Sequence, residues 1–386
     1  MKIIVHIIPF FQPMYGYEET YHSMAHASLG YDVHVLTSKY VNPNLTNNKL
    51  DKIDTSYDKH FRMLTIHRLP SRFIPFQSRQ LFLIGLFSKL SDLRPDIIVM
   101  HGAEFFTYIP VAFFHNNSLL KITDVHKSGS PRSNSSSIFF RFIKNTLRSL
   151  AIAINFRYSD YLLFYSQSHM REFNDKYIYS RSRFVFHPMP YNSDIFMLKS
   201  DSGIQFSKNN SYVPIFMISG RLVPEKKICE ILSILFSSYK KPFKVLLIGR
   251  IHTSYKSVIL GAIPPLFHSQ IIFIPSQHGA NLAAIYNSCD FGLWLEHYSV
   301  GILEAMACGV TVYTNHEAGL YYPFIPPERI LTGCLEDKIA SLIAAIPSDF
   351  NSSNSAAVKQ YNSSLVSGYT YSSLARFTSS LPNRKY

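Results

Sequence analysis

Residues 290–319 read DFGLWLEHYSVGILEAMACGVTVYTNHEAG, and no other stretch limits the possible folds as tightly. An apolar run, 291–295, ends on Glu296. A loop, 297–299, leads into a short helical stretch that carries Glu304 and stops at Gly309, and a second apolar run covers 310–313. Strand, loop, helix and strand in that order form the parallel crossover unit, whose loop falls at the carboxyl ends of the strands, where open α/β sheets bind ligands. Ser299 is a residue type that caps helices, which leaves the backbone N–H groups of Val300 and Gly301 facing outward as a site for an anion such as a diphosphate. Glu296 and Glu304 flank that site.

A chain of 386 residues exceeds one ordinary hydrophobic core, so two domains are expected. Hydrophobic residues at 47% and charged residues at 16% describe a folding chain, not a disordered one. The net charge of +13 favours acidic partners: nucleotide diphosphates or an anionic membrane surface. Nucleic acid is not expected, because no Lys/Arg cluster, zinc-finger or RNP signature is present. Cys229, Cys289, Cys308 and Cys334 are spread singly, which fits reduced, buried thiols in a cytoplasmic protein. No apolar stretch approaches the roughly 18 residues that span a bilayer. MKIIVHIIPFF reads as a buried first strand rather than a signal sequence, since His6 breaks the run and Glu18 and Glu19 follow.

In chain order, a strand at 2–8, a loop at 9–17, a helix from 18 to about 29 stopped by Gly30 and a strand at 33–36 open a βαβ unit. Its first loop lacks GxGxxG, which argues against a nicotinamide cofactor. Further strands read at 97–100, 119–123, 161–165 and 184–186, with a helix over 137–157. His101 and His126 stand at strand ends, His126 being the stronger candidate. The polar segment 198–211 is the expected linker. Beyond it come strands at 213–218, 244–248 and 271–274, and after the first of these Gly220, Arg221 and Lys226. Two cations in a loop after a strand suit a departing diphosphate, whose distal phosphate gains negative charge as it leaves. No Asp-x-Asp pair suited to a divalent metal is present, so the cations and the helix start would act in its place, and no cofactor or metal is expected.

Glu296, seven residues and Glu304 followed by Ala305, Met306, Ala307, Cys308 and Gly309, together with Gly220, Arg221 and Lys226, resemble the donor-site motifs of family 4 retaining glycosyltransferases, enzymes known from bacterial surface-polysaccharide synthesis. The resemblance also takes in Gly16 and Glu19 in the first loop, Asp124 to His126, and Pro188, Asn192 and Phe196. It implies an α/β chain of GT-B fold: two doubly wound Rossmann-like domains facing across a cleft, with 1–197 on the acceptor side, 212–360 binding a nucleotide sugar, and 361–386 crossing back. It implies a retaining, metal-independent hexosyltransferase that moves a sugar from a nucleotide-sugar donor to a saccharide hydroxyl by front-face attack. Arg221 and Lys226 would stabilise the leaving diphosphate, Glu296 and His126 would contact the sugar, and Glu304 would accept from the ribose. Gly16, Gly220, Ser299, Val300 and Gly301 would line the donor. Tyr17, Lys227 and Pro190 stand where the family usually has glycine. With those departures, two rival readings on the same fold stay open: a non-catalytic partner or regulatory protein, and a phosphorylase.

Between 137 and 157, Phe140, Ile143, Leu147, Leu150, Ala151 and Ile154 recur at helical spacing beside Arg141, Lys144 and Arg148, and Arg72, Phe73, Ile74, Phe76, Arg79 and Phe82 repeat the mixture around Pro75. Basic residues bordering apolar ones suit an anionic headgroup layer, so a cytoplasmic protein docking on the inner membrane face, with a lipid-linked acceptor, is the expectation.

Overall fold

The run that His6 interrupts is a strand, β1 (Ile3–Ile8), and with α1 (Glu18–Ser28) and β2 (Asp32–Ser38) it forms the expected βαβ unit, Ile3 opposite Asp32 and Ile8 opposite Thr37 in parallel register. The computed structural model describes residues 1–13, 18–42, 51–74, 77–114, 118–125, 138–176, 183–199, 212–296, 299–315, 322–347 and 350–382. The first unit continues with β3 (Thr65–Leu69), β4 (Ser71–Ile74), β5 (Gln77–Leu83), α2 (Leu86–Leu93), β6 (Ile97–His101), α3 (Ile109–Ala112), β7 (Leu120–Val125), α4 (Ile138–Tyr158), β8 (Tyr161–Phe164), α5 (Gln167–Lys176) and β9 (Arg183–Phe186). Seven strands form one parallel sheet in the order β3-β2-β1-β6-β7-β8-β9. Every residue of β6 and β7 is buried, as the strands of a sheet covered on both faces must be. β4 and β5 pair antiparallel, strands that the sequence pattern of mixed basic and apolar residues does not signal; Pro75 and Phe76 lie outside the described residues.

The second unit contains β10 (Ile215–Ser219), α6 (Ile228–Ser238), β11 (Lys244–Ile248), α7 (Thr253–Gly261), β12 (Ile271–Ile274), α8 (Gly279–Asn287), β13 (Phe291–Trp294), α9 (Gly301–Ala307), β14 (Thr311–Asn315), β15 (Ile330–Leu331), α10 (Leu335–Ala345) and α11 (Ser352–Val366). Its parallel sheet runs β12-β11-β10-β13-β14-β15. Neighbouring strand residues point to opposite faces, so Met217 and Leu246 join Ile302 and Met306 in one core layer while Phe216 and Leu247 join Leu232 and Leu342 in the other. Strand order reverses between β10 and β13, which makes the loops after those two strands the topological switch point.

One device sets register in both sheets. Asp96, Asp160 and Asp290 each stand just ahead of a strand, and their carboxylates accept an N–H from the first or second residue of the neighbouring strand, Ile3 at 2.8 Å, Lys121 at 2.8 Å and Ile215 at 2.9 Å. A carboxylate accepting a backbone N–H makes a charge-assisted bond, stronger than the neutral ladder bonds it adjoins. It therefore discourages a slip of the strand pair.

The units divide as Met1–Pro188 with Tyr371–Tyr386, and Met189–Thr370. The sequence reading ended the first domain at 197 and returned the chain at 361; in the structure α11 stays in the second unit, and only the last helix, α12 (Tyr371–Ser380), joins the first. There it packs along α1, with the rings of Tyr21 and Tyr371 5.3 Å apart. All four cysteines are free; Cys289 and Cys308 are buried, but Cys334 is exposed, contrary to the expectation of buried thiols, because it caps the start of α10. Among the described residues, no helix is long and apolar enough to cross a membrane.

Candidate donor site at the switch point of the second unit

β10 ends at Ser219, and the chain turns at Gly220 with φ +103°, a conformation that favours glycine. The turn serves two close approaches. A Cβ on Gly220 would sit 2.9 Å from Nζ of Lys226, which folds back to donate to the Ser219 carbonyl at 3.0 Å. A Cβ on Gly249, at the end of β11, would lie 1.9 Å from the Gly220 carbonyl oxygen. Both positions need glycine before Lys226 can be placed. The sequence reading noticed Gly249 only as a strand stop.

Lys226 is half-buried, and burial with the nearby Arg221 charge pulls its ammonium down to about 8. Arg221 is exposed, and neither cation has an acidic partner among the described residues. Two like charges held together without a counter-charge attract an anion.

Glu296 follows β13 and lines a small recess together with Lys226, Ile218, Ile231, Leu293 and Leu295. Both of its carboxylate oxygens meet lysines: Oε1 lies 3.1 Å from Lys338 Nζ and Oε2 lies 3.6 Å from Lys227 Nζ. Lys338, on α10, also donates to the Leu295 carbonyl at 3.2 Å. Lys227 has φ +51°, unusual for a residue with a side chain, at the position where the sequence departs from glycine. That departure thus supplies a partner for Glu296. Lys338 carries no motif signal, and the sequence reading missed it.

Helix α9 starts one residue later than a Ser299 cap requires. Val300 is the capping residue and already has helical dihedrals, while Ser299 Oγ accepts from Gly301 N–H at 3.3 Å. The Gly301 N–H, expected to face outward, is therefore engaged locally. The Ser299 carbonyl in turn accepts from the Tyr322 hydroxyl at 3.0 Å. Tyr286, from α8, links this helix start to β10: its hydroxyl lies 2.8 Å from Ser219 Oγ and 3.1 Å from where a Gly301 Cβ would be. Buried Tyr gives no periodic signal that separates such a role from packing, which explains why it went unnoticed.

Glu304 lies one turn into α9. Its residue keeps partial exposure, yet its carboxyl lies deep enough among protein atoms that desolvation pushes it up to about 7. Among the described residues it has no hydrogen-bond or ion-pair partner. A desolvated, unpaired carboxyl at a switch point is poised to accept hydroxyl donors from a ligand.

Lys226 and Glu296 thus line one recess, Gly220 and Arg221 lie beside Lys226, and Tyr286 links Ser219 at the end of β10 to the start of α9, which carries Ser299, Val300, Gly301 and Glu304. Gly16 and His126 lie outside the described residues. Asp124, which the sequence grouped with His126, is fully buried: its Oδ2 lies 2.7 Å from Nδ1 of His101, and its Oδ1 accepts from Gly102 N–H at 2.5 Å.

The fold is similar to that of solved structures over nearly the whole chain. Sucrose-phosphate synthase from Thermosynechococcus elongatus aligns over 98% of both chains with 17% identity and a TM-score of 0.65. Anabaena HepE in complex with UDP aligns over 99% of this chain and 100% of its own, at 15% identity and a TM-score of 0.65. WaaG, a glycosyltransferase involved in lipopolysaccharide biosynthesis, aligns over 98% and 100%, at 12% identity and a TM-score of 0.63. The chain has the GT-B fold. No family model matches the sequence, and neither does any curated protein.

Proposed function

We propose that this chain is a retaining glycosyltransferase of the family 4 type, moving a hexose from a nucleotide-sugar donor to a saccharide hydroxyl. The observation that carries the reading is a pair of cations without acidic partners among the described residues, Arg221 and Lys226, with Lys226 held at the Gly220 turn beside Glu296 at a topological switch point. In this reading the leaving diphosphate lies against Arg221 and Lys226, which stabilise its growing charge, so no metal is needed at the donor. The acceptor hydroxyl attacks on the same face of the sugar, and its proton passes to the departing phosphate oxygen. Glu296 orients sugar hydroxyls, and Glu304 accepts from the ribose. That HepE was solved with UDP and with UDP-glucose supports a uridine nucleotide as the first donor to try.

The test measures sugar transfer and nucleotide-sugar hydrolysis with Arg221→Ala and Lys226→Ala. Each variant should lose two or more orders of magnitude in turnover, in line with the loss of a transition-state charge contact. The wild type should keep its rate in EDTA. Loss of activity in EDTA restored by magnesium or manganese overturns the donor assignment, and absence of any nucleotide-sugar turnover favours a non-catalytic relative. Phosphorolysis of a saccharide without nucleotide would favour a phosphorylase.

We also propose that the protein works in the cytoplasm at an anionic membrane surface on a lipid-linked acceptor, as for polysaccharide or glycolipid synthesis. Support comes from the exposed apolar side chains Ile84, Phe87, Phe113 and Leu150 on and beside α2, α3 and α4, three elements packed in succession. Of the helical face read from sequence, Leu150 is exposed, whereas Ala151 is buried against the core. Flotation with vesicles of graded anionic lipid should show binding that rises with anionic content and falls with salt. Retention in the soluble fraction at low salt refutes docking.

A further inference from the structure

Four histidines meet in the first unit, none of them among the residues placed at the donor site above. His6 comes from β1, His101 from the end of β6, and His22 and His26 stand one turn apart on α1; none is more than 2% exposed. Their nitrogens form a chain. Asp124 Oδ2 lies 2.7 Å from His101 Nδ1, His101 Nε2 lies 2.9 Å from His6 Nδ1, His6 Nε2 lies 3.0 Å from His26 Nδ1, and His26 Nε2 lies 3.0 Å from Thr378 Oγ1 on α12. His22 Nε2 lies 3.4 Å from the same hydroxyl.

Counting protons inward from the two ends of this chain shows what is missing. A carboxylate only accepts, so His101 Nδ1 carries a proton, and its Nε2 is a lone pair whenever the ring is neutral. At the other end, the Thr378 hydroxyl donates back to the Leu374 carbonyl at 2.9 Å, the common habit of Thr within a helix, and accepts from outside. The Ala375 carbonyl, an acceptor only, also binds the His26 ring. His26 Nε2 is therefore the N–H, its Nδ1 is a lone pair, and His6 Nε2–H donates to it. This leaves His6 Nδ1 as a lone pair facing His101 Nε2 across 2.9 Å, a contact that needs either a second proton on His101 or a metal ion between the rings. His22 gives its Nε2–H to Thr378, and its Nδ1 is buried with no hydrogen-bond partner among the described residues. With His101 neutral, three buried imidazole nitrogens thus present lone pairs, and a metal ion can replace the proton otherwise needed between His101 and His6.

We propose that His6 Nδ1, His101 Nε2 and His22 Nδ1 bind one divalent transition-metal ion that ties β1, β6 and α1 together. One ring nitrogen from each of these three residues already lies within 4.8 Å of the others. Ligands on a tetrahedral zinc with bonds of about 2.0–2.1 Å stand about 3.3 Å apart, so the His6–His101 pair has to open slightly and His22 to close by a small ring movement. Each ligand ring donates its other N–H to an acceptor, His6 to His26, His101 to Asp124 and His22 to Thr378, the arrangement that fixes a metal-binding tautomer and raises ligand basicity. Nitrogen ligands select zinc, copper, nickel or iron over magnesium or calcium, which want oxygen. Water or a small anion would take the fourth position. Asp124 brings one compensating negative charge. The sequence reading excluded metal on the absence of paired carboxylates, and so passed over a histidine set scattered through 96 positions with only the spacing of His22 and His26 as a local signal.

The full chain, purified without chelator, is assayed for metal by mass spectrometry, then unfolded with chelator, refolded, and titrated with Zn²⁺ and Co²⁺. Close to one equivalent of metal, a rise in melting temperature on adding Zn²⁺, and visible d–d bands of tetrahedral Co²⁺ are expected. His22→Leu, which removes a ligand while keeping an apolar helix face, should weaken Zn²⁺ binding more than 100-fold. Asp124→Asn should weaken it about 10–100-fold, the usual effect of losing the carboxylate behind a ligating His. Refolded wild type that melts at one temperature with or without Zn²⁺ and develops no Co²⁺ bands overturns the proposal. So does undiminished binding by His22→Leu, which would put the metal elsewhere among the chain's 16 histidines. Because this site shares no residue with the donor site, a chelator-induced loss of activity rescued by zinc but not magnesium or manganese belongs to the histidines.

Discussion

Glu304→Gln keeps the shape of a buried side chain while deleting the charge that burial opposes. The Glu304 carboxyl ionises near 7 in the fold and near 4.5 in an unfolded chain. Below pH 4.5 it is neutral in both states and costs nothing. As pH rises above 4.5 the unfolded chain ionises first, so stability falls until the folded carboxyl ionises near 7, and the loss is then complete. At about 1.4 kcal/mol for each pH unit between the two values, the ceiling is roughly 3 kcal/mol. Partial exposure of the residue lets water relax part of that, so about 1–2 kcal/mol is the expected gain for Glu304→Gln at pH 8. Calorimetry of the full chain should show the transition of the second unit raised by about 2–8 °C at pH 8, given the usual 2–4 °C per kcal/mol, and by much less at pH 5. The same variant should bind free nucleoside diphosphate more weakly, because a site built for ligand trades stability for function. An equal difference in melting temperature at both pH values, or a variant less stable at pH 8, refutes the desolvation argument.

Other substitutions probe the same loops. Gly249→Ala places a Cβ 1.9 Å from the Gly220 carbonyl and should cost more than about 3 kcal/mol in urea denaturation; a loss below about 1 kcal/mol would contradict the close approach. Lys338→Ala removes the shorter and better-buried partner of Glu296 and should cost about 1–3 kcal/mol. Lys227→Gly should stay within about 1 kcal/mol of wild type, since relief of a left-handed backbone offsets a weak, half-exposed pair, and the reverse order of these two effects would overturn the assignment. In calorimetric titrations Glu304→Ala should weaken both nucleoside diphosphate and nucleotide sugar, whereas Glu296→Ala should spare the former; equal losses refute the division of roles.

The second unit was far more legible than the first, for a physical reason. Its strands are short continuous apolar runs closed by Gly220, Gly249 and Gly309, and its charged residues stand in the loops after them, so residue type and position coincide. In the first unit β3 (TIHRL) and the β4–β5 hairpin mix basic and polar residues with apolar ones, and neither the alternation nor the run length separates them from loop. The histidine cluster depends on four elements meeting in space, which no local pattern encodes. Lys338 and Tyr286 illustrate the same limit at the donor site: each reaches the site from a helix whose own sequence accounts fully for its folding.

The return of α12 to the first unit has a consequence for how the chain is made. The backbone of Tyr191 pairs with Thr370, so the second unit starts and finishes at one place and is a single continuous segment. On the ribosome that segment is complete before α12 is synthesised, while the first unit, begun earliest, still lacks the helix that covers His22 and His26. Domains ordinarily fold in the order they emerge. Here the first unit must wait for residues translated after the whole of the second, with one face of α1 bare until then, and a stop codon a few residues before Tyr371 would spoil a domain whose strands were made long before.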